Sequence, residues 1–255
     1  MKREEEVIIK RHPASFPPKI LDVIDLLLEQ FDNALLWVPS RLLDPFAGIG
    51  GVADLSRDGE TYGVEIEPEW AEQAMARGVI THIGDSRHLP WPNGFMGAIC
   101  TSPTYGNRLA DKYYPNMSDS KHWKRRSYRI YLGRPLTPGN SGAMHVGDDY
   151  RNLHRSVWAE CVRVLAPGGL FLLNIKDHSR NGVLQGVPDW HVKTLEGLGL
   201  VLLERKEVPL RGDQNTATMR KLGVAVVDYE LVIVFQKPSL DASCDASDES
   251  DDLLF

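Results

Sequence analysis

The sequence predicts an α/β protein built on a mostly parallel sheet with helices on both faces. Three observations carry this. Short apolar runs alternate with helix-periodic segments at the spacing of βαβ units. Several runs stop abruptly at acids, glycines or a Ser-Pro pair, as parallel strands do at a ligand-binding edge. The last two apolar runs have no helical pattern between them and are expected to pair antiparallel.

The elements follow in order. Residues 12–18, His-Pro-Ala-Ser-Phe-Pro-Pro, are too rich in proline for regular structure and predict an extended lead-in. Ile20, Val23, Ile24, Leu27, Leu28 and Phe31 recur at helical spacing. The run 41–46 reads as a strand entering the glycine-rich turn 47–51, with a short helix at Ala53 and Leu55. The next strand is 61–66, and Pro68 opens a helix at its first turn, where a missing N–H costs nothing. The strand 79–83 ends at Gly84-Asp85, and the strand 95–100 ends at Thr101-Ser102-Pro103-Thr104-Tyr105. Patterning fades over 107–146. It resumes with a helix carrying Tyr150, Leu153, Val157, Cys161, Val164 and Leu165, which Pro167-Gly168-Gly169 is expected to stop. The strand 170–175, the helix 189–198 and the strands 200–208 and 224–235 complete the expected domain.

Composition narrows the class. With 255 residues, 42% of them hydrophobic, the chain suits one large domain or one domain with an elaborated loop. It shows no apolar run of membrane-spanning length and no signal peptide, and its three cysteines form no paired framework. The expected location is cytoplasmic, with no membrane partner and no disulfide. The histidines and cysteines lack metal-ligand spacing, so no metal is expected. The net charge of -6 is concentrated at one end: Asp241, Asp245, Asp248, Glu249, Asp251 and Asp252 crowd the tail. Setting those six aside from 35 acidic residues leaves 29, equal to the 29 basic ones. A neutral body leaves nucleic acid open as a partner.

Asp44-Pro45-Phe46-Ala47-Gly48-Ile49-Gly50-Gly51 joins an acidic strand end to glycines that permit close backbone approach. Glu65 ends the second strand, where an acid accepts ribose hydroxyls, and Asp85 ends the third. An acid in the first loop repels a pyrophosphate and suits a cation, which favours a positively charged nucleoside over a dinucleotide. DPFAGIGG, GVEIEP, GD and TSPTYG, in that order, resemble the S-adenosylmethionine-dependent DNA amino-methyltransferases. HPASFP is similar to their motif packing against the methionine end of the cofactor. TSPTYGNRLAD, LGRPL, NSGAMHVGDDYR, PGG and NIKDH further resemble small stand-alone phage DNA methylases.

The resemblance covers most of 12–237. It implies the class I, Rossmann-like methyltransferase fold, with a seven-stranded sheet whose last strand is antiparallel. It also implies S-adenosylmethionine as cofactor and S-adenosylhomocysteine as product. By it, Asp44, Gly48 and Gly50 cradle the methionine moiety, and Glu65 binds the ribose. Asp85 reads the adenine, Phe46 lies beside the sulfonium, and Phe16 and Thr101 complete the cofactor site.

An exocyclic base amine is a weak nucleophile because its lone pair is delocalised into the ring. Two acceptors aimed at its hydrogens free that lone pair as charge develops. The resemblance assigns these roles to the Ser102 side chain and the Pro103 carbonyl, with Tyr105 stacking on a flipped base. Thr104 departs from the family, which usually has a second proline there, and one fixed φ is lost. Serine leans the target toward N4 of cytosine, with N6 of adenine open. An RNA base methyltransferase, and an inactive nucleic-acid-binding protein, are the alternatives.

The stretch 107–146 interleaves Arg108, Lys112, Lys121, Lys124, Arg125, Arg126, Arg129 and Arg134 with five tyrosines and tryptophans. Cations neutralise phosphates and aromatic rings stack or wedge, so it is expected to recognise DNA. Asn107, Arg108, Lys124, Arg125, Arg126 and Arg129 are the named contacts. His178, at the end of the strand 170–175 with Asn174, Lys176 and Asp177, is a further contact or else part of a capped loop. Arg211, Arg220 and Lys221 are further candidates for a phosphate. The tail 238–255 is expected to be disordered; its ending Asp251-Asp252-Leu253-Leu254-Phe255 loosely resembles sliding-clamp docking peptides.

Overall fold

The computed structural model describes residues 16–31, 40–104, 128–180, 183–209, 220–221 and 225–239. Tyr105, Asn107, Arg108, Lys124, Arg125, Arg126, the Arg129 side chain, Arg211 and the acidic tail lie outside the described residues.

Helix α1 spans Pro18–Gln30, with proline in its first turn. Strand β1 is Arg41–Asp44, and β2 is Glu60–Glu65. Helix α2 is Pro68–Ala76, β3 is Ile80–Ile83 and β4 is Met96–Thr101. A short helix α3, Tyr128–Leu132, precedes the long α4, Asp148–Val164. Strand β5 is Leu165–Ile175, followed by a small hairpin of β6, Ser179–Arg180, and β7, Val183–Leu184. Helix α5 is Val187–Gly197, β8 is Val201–Pro209 and β9 is Tyr229–Gln236.

Seven strands form one sheet in the order β3-β2-β1-β4-β5-β9-β8. The first five are parallel, and β9 inserts antiparallel between β5 and β8. Side chains alternate between two buried faces. Leu43, Ile99, Phe171 and Ile233 pack with α4 and α5 on one face. Leu42, Cys100, Leu172 and Val232 pack with α1 on the other. All six residues of β4 are buried, which makes it the axis of the domain. In α4, Tyr150, Leu153, His154, Val157, Trp158, Cys161 and Val164 turn inward at helical spacing. Asp148 and Asp149 begin that helix and Arg163 lies in its last turn, which opposes the helix dipole at both ends.

Three sequence expectations are corrected. Pro167-Gly168-Gly169 does not separate helix from strand, because α4 ends at Val164 and β5 starts at Leu165. Gly169 belongs inside the strand: a Cβ there would stand 2.7 Å from the Gly97 carbonyl oxygen, so glycine admits the close crossing of β4. The short helix at Ala53 is a 3₁₀ turn, Gly51–Asp54. The stretch 128–146 is not patternless, since α3 and a 3₁₀ turn at Ser141–Ala143 lie within it. The hairpin β6–β7 was not anticipated, as two-residue strands leave no periodic signal.

Candidate active site

The strand order reverses between β1 and β4, and such a switch point opens a crevice at the strands' carboxyl ends. A cavity of about 700 Å³ lies there. Asp44, Glu65 and Asp85 line it from the ends of β1, β2 and β3, and Ser102, Pro103 and Thr104 line it from the end of β4.

Asp44 is 1% exposed. Its Oδ1 accepts from the Phe46 N–H at 2.9 Å and from the Thr101 hydroxyl at 2.6 Å. Both bonds fall on Oδ1, so Oδ2 is the oxygen left to a ligand. Burial pushes Asp44 up to about 6, against the pull of those two donors. Thr101 does not line the cavity; it spans the switch point and holds Asp44 in place. Phe46 lines the cavity and packs against Trp158 and His154.

Glu65 is also buried, with Oε2 accepting from the Gly48 N–H at 2.8 Å and Oε1 from the Glu67 N–H at 2.9 Å. Burial pushes it up to about 7, and the nearby acids Glu67 and Asp44 push the same way. Gly48 lies in the cavity wall at a φ of 52°. Gly50 does not. At a φ of 79°, a Cβ on it would come within 3.0 Å of the Ala74 backbone, so its glycine serves the packing of the loop on α2. Phe16 lines the cavity and lies on Gly51, where a Cβ would meet its ring at 2.8 Å. Asp85 accepts from the Arg87 N–H at 2.9 Å and from its guanidinium at 2.5 Å, and this partner holds it below the usual carboxylate range.

On the other side of Ser102, Asn174, Lys176 and Glu230 line the cavity. Asn174 donates from Nδ2 to Glu230 Oε2 at 3.1 Å and to the Leu231 carbonyl at 3.3 Å, which leaves its Oδ1 as an acceptor. Glu230 went unrecognised in the sequence because only the β5–β9 register brings it beside Asn174. His178 does not line the cavity. Beside it, Asp177 accepts from the N–H groups of His178, Gly186 and Val187, which caps the approach to α5.

The stretch after α3 forms a strap over the cavity rim. Glu67 is fully buried and accepts from the Thr137 N–H at 2.8 Å, the Thr137 hydroxyl at 2.9 Å and Asn140 Nδ2 at 2.8 Å. Arg134 pairs with Glu67 at 2.7 Å and Glu69 at 2.5 Å. These bonds hold Gly139, Asn140 and Ser141 in the cavity wall. Arg134, expected to face phosphate, is thus committed to the strap, and Arg220 pairs with Asp228 at 2.6 Å. Glu67 has a sequence signal, as the second acid of GVEIEP, but its partners lie about seventy residues away.

Among the described residues, no group of His, Cys, Asp or Glu is placed to hold a metal ion. None of the described helices is long and apolar enough to cross a membrane.

No protein-family model matches the chain, and no curated protein sequence matches it. Solved structures do. An S-adenosylmethionine-dependent methyltransferase of Methanosarcina mazei aligns with a TM-score of 0.51 at 10% identity, over 89% of this chain and 100% of that one. A candidate sarcosine dimethylglycine methyltransferase of Galdieria sulphuraria aligns at 0.50 and 14%, over 89% and 92%. The [4+2]-cyclase SpnF aligns at 0.50 and 15%, over 90% and 86%. At these identities the likeness is one of fold, and the fold is shared with a protein named for a different reaction. The order of the sheet, its antiparallel β9 and these matches show that the chain has the class I methyltransferase fold.

Proposed function

We propose that the chain transfers a methyl group from S-adenosylmethionine to an exocyclic amino group of a DNA base, with N4 of cytosine favoured over N6 of adenine. The observation that carries this reading is a shared cavity: Ser102, Pro103 and Thr104 line the same space as Asp44 and Glu65. An electrophile held by the acids of β1 and β2 therefore meets an acceptor-bearing turn at the end of β4.

The donor set fits the cofactor. A buried carboxylate with one oxygen left to a ligand suits an ammonium, and a second buried acid suits a ribose diol. When bound, S-adenosylmethionine supplies a methyl carbon that leaves sulfur as the amine nitrogen bonds to it, giving S-adenosylhomocysteine, and the surplus amine proton passes to water. The chain's own part is orientation and charge. Asp44 binds the ammonium, and Thr101 holds Asp44 in place. Glu65 binds the ribose, and Asp85 faces the adenine. Ser102 and the Pro103 carbonyl accept the amine hydrogens, which localises the nitrogen lone pair. Tyr105 stacks on the base, and Asn107, Arg108, Lys124, Arg125, Arg126 and Arg129 contact the DNA.

The test offers methyl-tritiated cofactor with DNA and RNA separately. The reading expects label in DNA, lost in Ser102→Ala; label in RNA alone overturns the choice of substrate.

A further inference from the structure

A hydrogen-bond chain runs from the buried core to the turn at the end of β4, and each donor in it is determined. Trp158, fully buried, donates from Nε1 to His191 Nδ1 at 2.9 Å. An indole nitrogen only donates, so neutral His191 carries its proton on Nε2. That nitrogen lies 3.0 Å from the Tyr150 hydroxyl and donates to it. The hydroxyl's own hydrogen goes to the Thr104 carbonyl at 2.9 Å. Burial holds His191 well below the usual imidazole range, so the chain keeps its direction at neutral pH. His154 braces it: Nδ1–H donates to the Tyr150 carbonyl at 2.8 Å, and the two rings lie 4.0 Å apart. From the opposite side, the Ser141 hydroxyl lies 2.8 Å from the Thr104 hydroxyl.

We propose that Tyr150, backed by His191 and Trp158, is a positioning residue for methyl transfer: with Ser141 it fixes Thr104, and so sets how Ser102 and Pro103 meet the target amine. The proposal rests on the methyltransferase reading above. Threonine leaves φ freer than a ring would, and hydrogen bonds on its carbonyl and its hydroxyl supply the restraint instead. Tyr150, His191 and Trp158 do not line the cavity, so they act through their neighbours rather than on a ligand.

Tyr150→Phe keeps the ring and removes only the hydroxyl. We expect cofactor affinity within about twofold of wild type, KM for DNA within about threefold, and kcat lower by roughly ten- to hundredfold. In protein labelled at the Thr104 carbonyl carbon, the same substitution moves that resonance upfield as the hydrogen bond is lost. Thr104→Ser, which keeps a hydroxyl for Ser141, retains turnover that Thr104→Val loses. Wild-type kcat with an unmoved carbonyl signal in Tyr150→Phe overturns the proposal. Should Tyr150→Phe fail to fold, the two Thr104 variants decide, and equal kcat in both overturns it. A wild type that methylates neither DNA nor RNA overturns the underlying reading and this role with it. That outcome is distinct from a wild type that turns over and a Tyr150→Phe that matches it.

Discussion

Lowering the pH should weaken cofactor binding, and the two buried acids set by how much. Asp44 sits at about 6 and Glu65 at about 7, both raised by burial from ordinary values of 3.8 and 4.5. At pH 5 roughly a tenth of Asp44 is ionised, so affinity for an ammonium falls about tenfold, or about 1.4 kcal/mol. Protonated Glu65 still accepts a ribose hydroxyl through its carbonyl oxygen, so its share of the loss is smaller. Binding at pH 6 to 7 should release protons. Titration calorimetry in buffers of different ionisation enthalpy counts them.

The same shifts act on stability. Because both folded values lie above the ordinary ones, the folded state binds more protons than the unfolded state across the window between them. The stability this confers is full below the ordinary values and is lost as pH rises through about 6 and then about 7. Each group forfeits about 3 kcal/mol by that point. Asp44→Asn should therefore raise the ligand-free Tm at pH 7.5 while weakening cofactor binding. Affinity that stays flat from pH 5 to 8, or proton uptake on binding, would refute the electrostatic account of this site.

Two further predictions concern the strap and the stretch beyond it. Glu67→Ala removes the carboxylate that accepts from the part-buried Thr137 N–H and Asn140 Nδ2, at about 1.5–3 kcal/mol for a hydrogen bond to a charged group. Amide exchange at Thr137 should then accelerate by roughly ten- to hundredfold, while exchange in the central strand β4 stays slow. Reversing the charges of Lys124, Arg125 and Arg126 should abolish DNA retention and leave cofactor affinity intact, measured by fluorescence anisotropy and calorimetry. Unchanged DNA affinity removes that stretch from the interface.

Much of the fold was legible because βαβ alternation leaves a strong periodic trace, and because strand ends at Asp44, Glu65 and Asp85 are marked by acids beside glycines. What escaped reading depends on contacts distant in sequence. Gly168-Gly169 has the signature of a turn, yet Gly169 serves a close strand crossing that only the Gly97 backbone explains. Gly50 looks like a ligand-contacting glycine and turns out to serve a left-handed turn packed on Ala74. Thr101 looks like a cofactor contact, yet it lies outside the cavity wall and donates to Asp44 Oδ1. His154 and His191 carry no motif; they acquire meaning only when α4 and α5 bring Trp158, His191 and Tyr150 into one chain of donors. Arg134 reads as one more cation in a basic stretch, and its acids lie on the first turn of α2 and just before it.

The central claim is that one cavity joins a methyl donor to the amine-accepting turn at Ser102. Nucleoside mass spectrometry of DNA from cells expressing the protein tests this most directly. The account predicts N4-methylcytosine, or N6-methyladenine, above background with the wild type and at background with Ser102→Ala. DNA free of both modified bases, from cells containing folded, cofactor-binding protein, would contradict it.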